Sequence, residues 1–210
     1  MKLKIPLIKQ KLKKSCGLAA MAMVYKYFGR DVPEERILKD LGGLERCGSF
    51  PTDHALMAQN LGFKVVCHSY ALIYFDPNDA KLERKDLIKK TEFLFKKEKR
   101  AYNQQELKSI LRVLKSNIDF KMKMPRLGLI RKFLDKKLPV LVAVNSAVLF
   151  KKKLDLKFGH FIVLTGYEKD KFYYNDPYDG KAKSILADKL IFALSNNIFD
   201  SSAYLLVLSK

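Results

Sequence analysis

The sequence predicts an α+β fold, with an N-terminal helical lobe and a C-terminal antiparallel sheet. Three observations carry this. Apolar residues before residue 138 recur mostly at helical spacing, broken by one strand-like run at 63–69. After residue 138, short apolar and β-branched runs alternate with turn residues. The reactive side chains divide the same way: Cys16 opens the first long helix, whereas His160 and Asp176 flank a hairpin near the far end.

In chain order, residues 4–7 read as a short strand that Pro6 marks as an edge. Residues 10–29 hold the first helix, with Ser15 as N-cap, Leu18, Ala19, Ala22, Met23, Tyr25 and Tyr27 at helical spacing, and Gly29 closing it. A second helix starts at Val32-Pro33 and runs to about Leu41. A third begins within 49–52 and ends at Gly62, and 63–69 is a strand. Asp76-Pro77-Asn78-Asp79 is a turn that can also cap the next helix. Two lysine-rich helices, 81–100 and 103–115, then form a basic helical insertion at about 76–124 within a single domain of residues 1–210. A helix at 125–137 is broken by Leu138-Pro139 and leads into a buried strand at 140–144. Residues 151–158 form a loop delivering His160. The strands 161–167 and 172–175 make a hairpin around the polar turn 168–170. A short strand at 183–186, a helix at 188–194 and a final strand at 203–208 complete the sheet.

Cys16 lies in the first turn of its helix, where unpaired backbone N–H groups and the positive end of the dipole favour thiolate over thiol. A buried, unreactive cysteine at the start of a core helix satisfies the same pattern. A nucleophile needs a base and a group that orients the base. His160 begins one arm of the hairpin and Asp176 ends the other, so strand pairing can bring them together. A three-residue loop would set Asp176 opposite Ile162, on the face of His160. A two-residue turn would put them on opposite faces unless a bulge intervened. Gln10, six residues before Cys16, is an amide donor suited to a developing oxyanion.

Gln10, Cys16-Gly17 on a helix, Gly159-His160 opening a strand and Asn175-Asp176-Pro177 closing the next together resemble the C39-like branch of the papain-like cysteine peptidases. The resemblance implies a papain-like fold with the active site between helical lobe and sheet. It implies Cys16 as nucleophile, His160 as general base and acid, Asp176 as orienting carboxylate and Gln10 as oxyanion donor. Many members of that family carry Asp just before the cysteine, where this chain has Ser15. Members attached to exporters cut leader peptides after paired glycines. The resemblance leaves three activities open: a cysteine peptidase or amide hydrolase, an acyl or peptidyl transferase using the same residues, and a non-catalytic peptide-binding module. The expected partner is a peptide or protein substrate, which a partner protein could deliver.

Other function classes find little support. No apolar run reaches the roughly eighteen to twenty residues of a membrane span. The N-terminus lacks the pattern of a signal peptide. Three cysteines without regular spacing argue against a disulfide framework and favour a reducing cytoplasm. The net charge of +19 is carried mostly by lysine, with no zinc finger, RNP motif or phosphate loop, so no specific nucleic-acid partner is expected. His54 reads as a packed histidine, and Cys47, His54, Cys67 and His68 match no zinc-ligand spacing, so no metal or cofactor is expected.

Overall fold

The structure is a computed structural model that describes residues 2–44, 48–70, 73–123, 126–150, 159–196 and 203–210. Cys47 and the predicted loop at 151–158 lie outside the described residues. Three helices come first: α1 (Cys16–Tyr27), α2 (Glu34–Leu41) and α3 (Pro51–Asn60). β1 (Lys64–Tyr70) comes next, then a 3₁₀ turn (Pro77–Lys81), α4 (Arg84–Lys97), α5 (Ala101–Leu114) and the three-residue β2 (Asp119–Lys121). α6 (Leu127–Asp135), β3 (Val140–Asn145) and α7 (Ser146–Leu149) lead to β4 (Gly159–Glu168) and β5 (Lys171–Asp176). β6 (Lys181–Leu186), α8 (Ala187–Ser195) and β7 (Ala203–Ser209) end the chain. The architecture is the α+β class that the sequence predicts.

The seven strands form one sheet in the order β2-β1-β7-β3-β4-β5-β6. Every pairing is antiparallel except β1 with β2. The sheet is therefore not confined to the C-terminal half. β1 belongs to the first half of the chain, β2 precedes the other C-terminal strands, and β7 joins this pair to β3. A three-residue strand such as β2 has no alternation long enough to detect in sequence. α1 is apolar almost all round, and residues 17 to 25 are buried without exception. That pattern marks a helix enclosed in the core rather than laid on a surface. It packs against β4. Burying each of Leu18, Met21 and Met23 contributes about 1.5–3 kcal/mol. A second, smaller core unites Tyr70, Tyr74, Phe75, Leu87, Leu107, Ile110, Leu114 and Met122, so α4 and α5 close on each other and on the end of β1.

Three local expectations change. Residues 4–7 form no strand. Instead Lys2 bridges Gly166, and the Leu3 N–H donates to the carbonyl of Thr165 at 2.6 Å. The helix expected over 81–100 begins only at Arg84, because the Asp76 carboxylate caps a separate 3₁₀ turn and Leu82 and Glu83 are extended. Ser15 occupies the N-cap position of α1 but its side chain makes no capping bond.

The β4–β5 hairpin sets the position of His160 relative to Asp176. Glu168 pairs with Lys171, leaving a two-residue turn in which Lys169 has a positive φ of 49°. That turn alone would separate His160 from Asp176. A bulge intervenes between Leu164 and Gly166, where Thr165 has no partner on β5. The extra residue restores the parity. Val163 opposes Asn175, so Asp176 falls level with Ile162 and shares the face of His160. The same bulge exposes the Thr165 carbonyl that Leu3 uses, tying the N-terminal segment to the hairpin.

Candidate active site

Four elements converge around Cys16. α1 presents the thiol from its first turn, partly exposed, while Gly17 behind it is buried. His160 stands at the start of β4, opposite Val144 of β3, and is buried. Its Nε2 lies 2.7 Å from Asp176 Oδ1, and the ring stands close enough to the Cys16 thiol for each to shift the other's ionisation. With Nε2 engaged by the carboxylate, Nδ1 is the nitrogen left for sulfur. Asp176 is fully buried and multiply held: the Tyr178 N–H donates to Oδ1 at 2.9 Å and the Lys183 ammonium donates to Oδ2 at 2.7 Å. Lys183 also pairs with Asp179 at 2.8 Å. Sequence reasoning missed Lys183. It lies on β6 two residues from Lys181, which pairs with Asp176, so alternation puts it on the carboxylate's face.

These contacts set the charges. For Asp176, burial opposes ionisation, but the His160 bond, its charge and Lys183 outweigh it and hold the carboxyl down at about 2. For His160, burial again acts against charge, yet Asp176 and Cys16 raise it to about 9. For Cys16, burial pushes the thiol up, whereas His160 and the backbone N–H groups of Phe161 and Gly17 bring it below its ordinary value. The arrangement therefore favours a thiolate beside an imidazolium. Cys67 shows the opposite case. It is buried on β1 and burial pushes its thiol up to about 12.

The approach to Cys16 is held from both sides. The Gln10 N–H donates to the Pro177 carbonyl at 2.8 Å, and the Asn175 amide donates to the Ile5 carbonyl at 3.1 Å, so the N-terminal segment is anchored to the end of β5. The side-chain amide of Gln10 donates to the carbonyls of Leu12 at 2.8 Å and Lys13 at 3.1 Å. Its Oε1 is buried without a partner among the described residues. Ser15 Oγ accepts from the Leu12 N–H at 3.1 Å and donates to the Glu34 carboxylate at 2.8 Å. Glu34, at the start of α2, also accepts the Lys11 N–H at 3.3 Å. A buried carboxylate from another helix thus meets the residue preceding the cysteine. Beside His160, Phe150 lies 5.7 Å from the imidazole and 5.1 Å from the Tyr178 ring, and Tyr178 is 57% exposed.

His54 does not join this group. It is buried against Gly17, with Nε2 at 2.6 Å from Ser49 Oγ. His68 and Cys67 point to opposite faces of β1. Among the described residues, no group of three or more His, Cys, Asp or Glu side chains could hold a metal ion. No helix among them is long and apolar enough to cross a membrane.

The whole chain is similar to solved peptidase structures. It aligns over its full length with 98% of a structure described as a C39-like peptidase from Bacillus anthracis, at 13% identity and a TM-score of 0.61. It aligns over 98% of its length with 98% of the peptidase domain of Streptococcus ComA, a bi-functional ABC transporter of a quorum-sensing pathway, at 16% identity and a TM-score of 0.51. A double glycine motif protease from an AMS/PCAT transporter, in complex with its leader peptide, is matched at 20% identity and a TM-score of 0.49, over 99% of this chain and 92% of that one. At these identities the likeness is one of fold, and the fold is papain-like. No curated protein sequence matches the chain. The family model described as the Peptidase_C39 like family matches residues 2–196, and the chain belongs to that family.

Proposed function

We propose that the protein is a cysteine peptidase whose nucleophile is Cys16. The observation that carries this is the continuous chain of contacts from the Cys16 thiol through His160 to Asp176, on a helix start and a hairpin brought together by the fold. In this reading the Cys16 thiolate attacks the carbonyl carbon of a peptide bond and the carbonyl oxygen takes up the negative charge. The His160 imidazolium gives its proton to the leaving nitrogen as the C–N bond breaks, leaving a thioester on Cys16. His160, now neutral, takes a proton from water. The resulting hydroxide attacks the thioester, and the thiolate departs as the acid is released. Asp176 orients the ring and balances its charge, with Lys183 holding the carboxylate in place.

The Cys16 N–H, which helix geometry leaves without an intrahelical acceptor, is the first oxyanion donor. Gln10 supplies the second when its amide turns from the loop carbonyls toward the cleft. The substrate is a peptide or protein segment. The half-buried ring of Phe150 and the exposed ring of Tyr178 beside His160 suit an apolar side chain next to the scissile bond. A thiolate of this kind suits a reducing cytoplasm.

Digestion of a broad peptide library by the wild type, beside Cys16→Ala, tests the assignment. Cleavage that disappears in the variant and on iodoacetamide treatment is the expected result. An unchanged library, with Cys16 alkylated no faster than Cys67, would leave only a binding module. Products whose mass includes an added amine would identify a transferase.

A further inference from the structure

We propose that the cavity between β1, β2 and α6 binds a small phosphate-bearing molecule. This site lies apart from the peptidase centre, since β7 and β3 stand between β1 and β4 in the sheet. Its volume is about 700 Å³. The floor is set by strand alternation: Val66, His68 and Tyr70 point to one face of β1. β2 extends that floor in register, with Lys121 beside His68 and Asp119 beside Val66.

Two features point to a ligand. The first is charge. Lys121, Lys123, Arg126, Lys132 and Lys136 all line the cavity, against one acid, Asp119, which lies 3.7 Å from Lys121. The nearby Asp76 and Asp79 face Tyr70 but are held by Lys90. Cations around a concavity focus the field and attract an anion more strongly than the same charges spread on a convex face. Four of the five are lysines, which bind phosphate as mobile point charges.

The second feature separates this cavity from the general lysine excess of the chain. His68 and Tyr70 are each more than nine-tenths buried, and His68 Nδ1 and the Tyr70 hydroxyl have no hydrogen-bond partner among the described residues. Leaving such groups unpaired is costly, and a ligand that pairs with them removes that cost. A small turn of either side chain toward the cavity would let phosphate oxygens accept from the Tyr70 hydroxyl and from the Nδ1–H tautomer of His68. Val66, Leu129 and Phe133 add an apolar wall wide enough for an attached ring.

Calorimetry and thermal shift on the full chain test this, with adenosine triphosphate, tripolyphosphate and adenosine as probes. Both phosphates should bind and raise Tm, whereas adenosine alone should not. Affinity should fall steeply between about 50 and 200 mM salt. Lys132→Glu with Lys136→Glu should weaken binding by at least about tenfold, as should Tyr70→Phe with His68→Gln. Lys96→Glu with Lys97→Glu on α4 should leave it unchanged. Cys16 alkylation at the wild-type rate would verify that each variant is folded. Tighter binding of the nucleotide than of tripolyphosphate would identify a nucleotide as ligand, and equal binding would identify bare phosphate. Absence of binding by either phosphate, or equal loss in the α4 variant, would overturn the proposal.

Discussion

His160 and His54 both lie at the first turn of α1, and both are buried. His160 touches Cys16, and His54 lies against Gly17, the next residue. The two are also linked through Phe161, which comes after His160 in the chain and meets the His54 ring edge-on at 5.5 Å. Their charges are nevertheless opposed. Burial alone acts on His54 and brings it down to about 4. The same burial acts on His160, yet the carboxylate of Asp176 and the thiol of Cys16 raise it to about 9. Residue type and depth do not separate the two histidines here. The partner does: a hydroxyl such as Ser49 offers a hydrogen bond without a countercharge, and only a countercharge repays the cost of burying an imidazolium.

The largest break in this comparison is removal of the charged ring. His160→Ala is expected to lower turnover by at least about a thousandfold and to slow Cys16 alkylation near neutral pH, because the thiolate loses its cation. Alkylation timed against pH, read by peptide mass, checks the second part. Equal labelling of wild type and variant would detach Cys16 from His160.

Asp176→Asn should be milder, with turnover reduced by roughly 10- to 1000-fold. The amide can still accept from the ring but cannot balance its charge. The sign of the pH effect is set by the raised value of His160. Its folded value lies above the ordinary 6.5, so its stabilising contribution is present below that value and is lost as pH rises through about 9. The alkaline limb of the activity profile should fall near that pH in the wild type and move toward neutrality in Asp176→Asn. An unmoved limb would assign it to another group.

Much of this site was legible in the sequence because its parts sit at element boundaries. Cys16 comes after a break before an apolar helix, and Asp176-Pro177 ends a strand. The relation between the parts was not legible. Whether Asp176 shares a face with His160 depends on one extra residue, Thr165, in a run of apolar and β-branched side chains that reads as a strand with or without a bulge. Glu34 reaches Ser15 across 19 positions, and no local pattern announces such a contact. Lys183 is one of many lysines, distinguished only once β6 is paired with β5. The order and type of the longer helices came from periodicity, whereas α7 and β2, too short for periodicity, came only with the structure.

Gly17→Ala sharpens the comparison from the side of His54. In a helix this change ordinarily stabilises by up to about 1 kcal/mol. Here a Cβ would stand 2.5 Å from His54 Nε2 and 2.7 Å from Ser49 Oγ, with Phe161 at 3.1 Å. All three neighbours are packed, so the substitution should instead cost roughly 2–3 kcal/mol, measured by denaturant unfolding. Displacement of the α1 start should also reduce turnover. A stabilised, fully active variant would mean that the His54–Ser49 pair yields freely.

Ser49→Ala should have the smallest effect and is the most selective. It removes the hydroxyl that meets His54 Nε2 at 2.6 Å. Since Nδ1 already lacks a partner among the described residues, the ring would lose the one hydrogen bond it makes there. The cost should be about 1–2 kcal/mol, seen as a shift in the unfolding midpoint with an unchanged slope. Turnover should stay close to wild type, because the contact of Ser49 is with His54 and not with the Cys16 thiol or the His160 ring. The pH dependence of stability should survive as well. His54 has a folded value below its ordinary one, so its contribution is present above about 6.5 and is lost as pH falls toward about 4. Burial is the cause of that shift, and burial remains in Ser49→Ala. Loss of turnover without loss of stability would give His54 a part in the chemistry, and the contrast between the two histidines would then be one of degree.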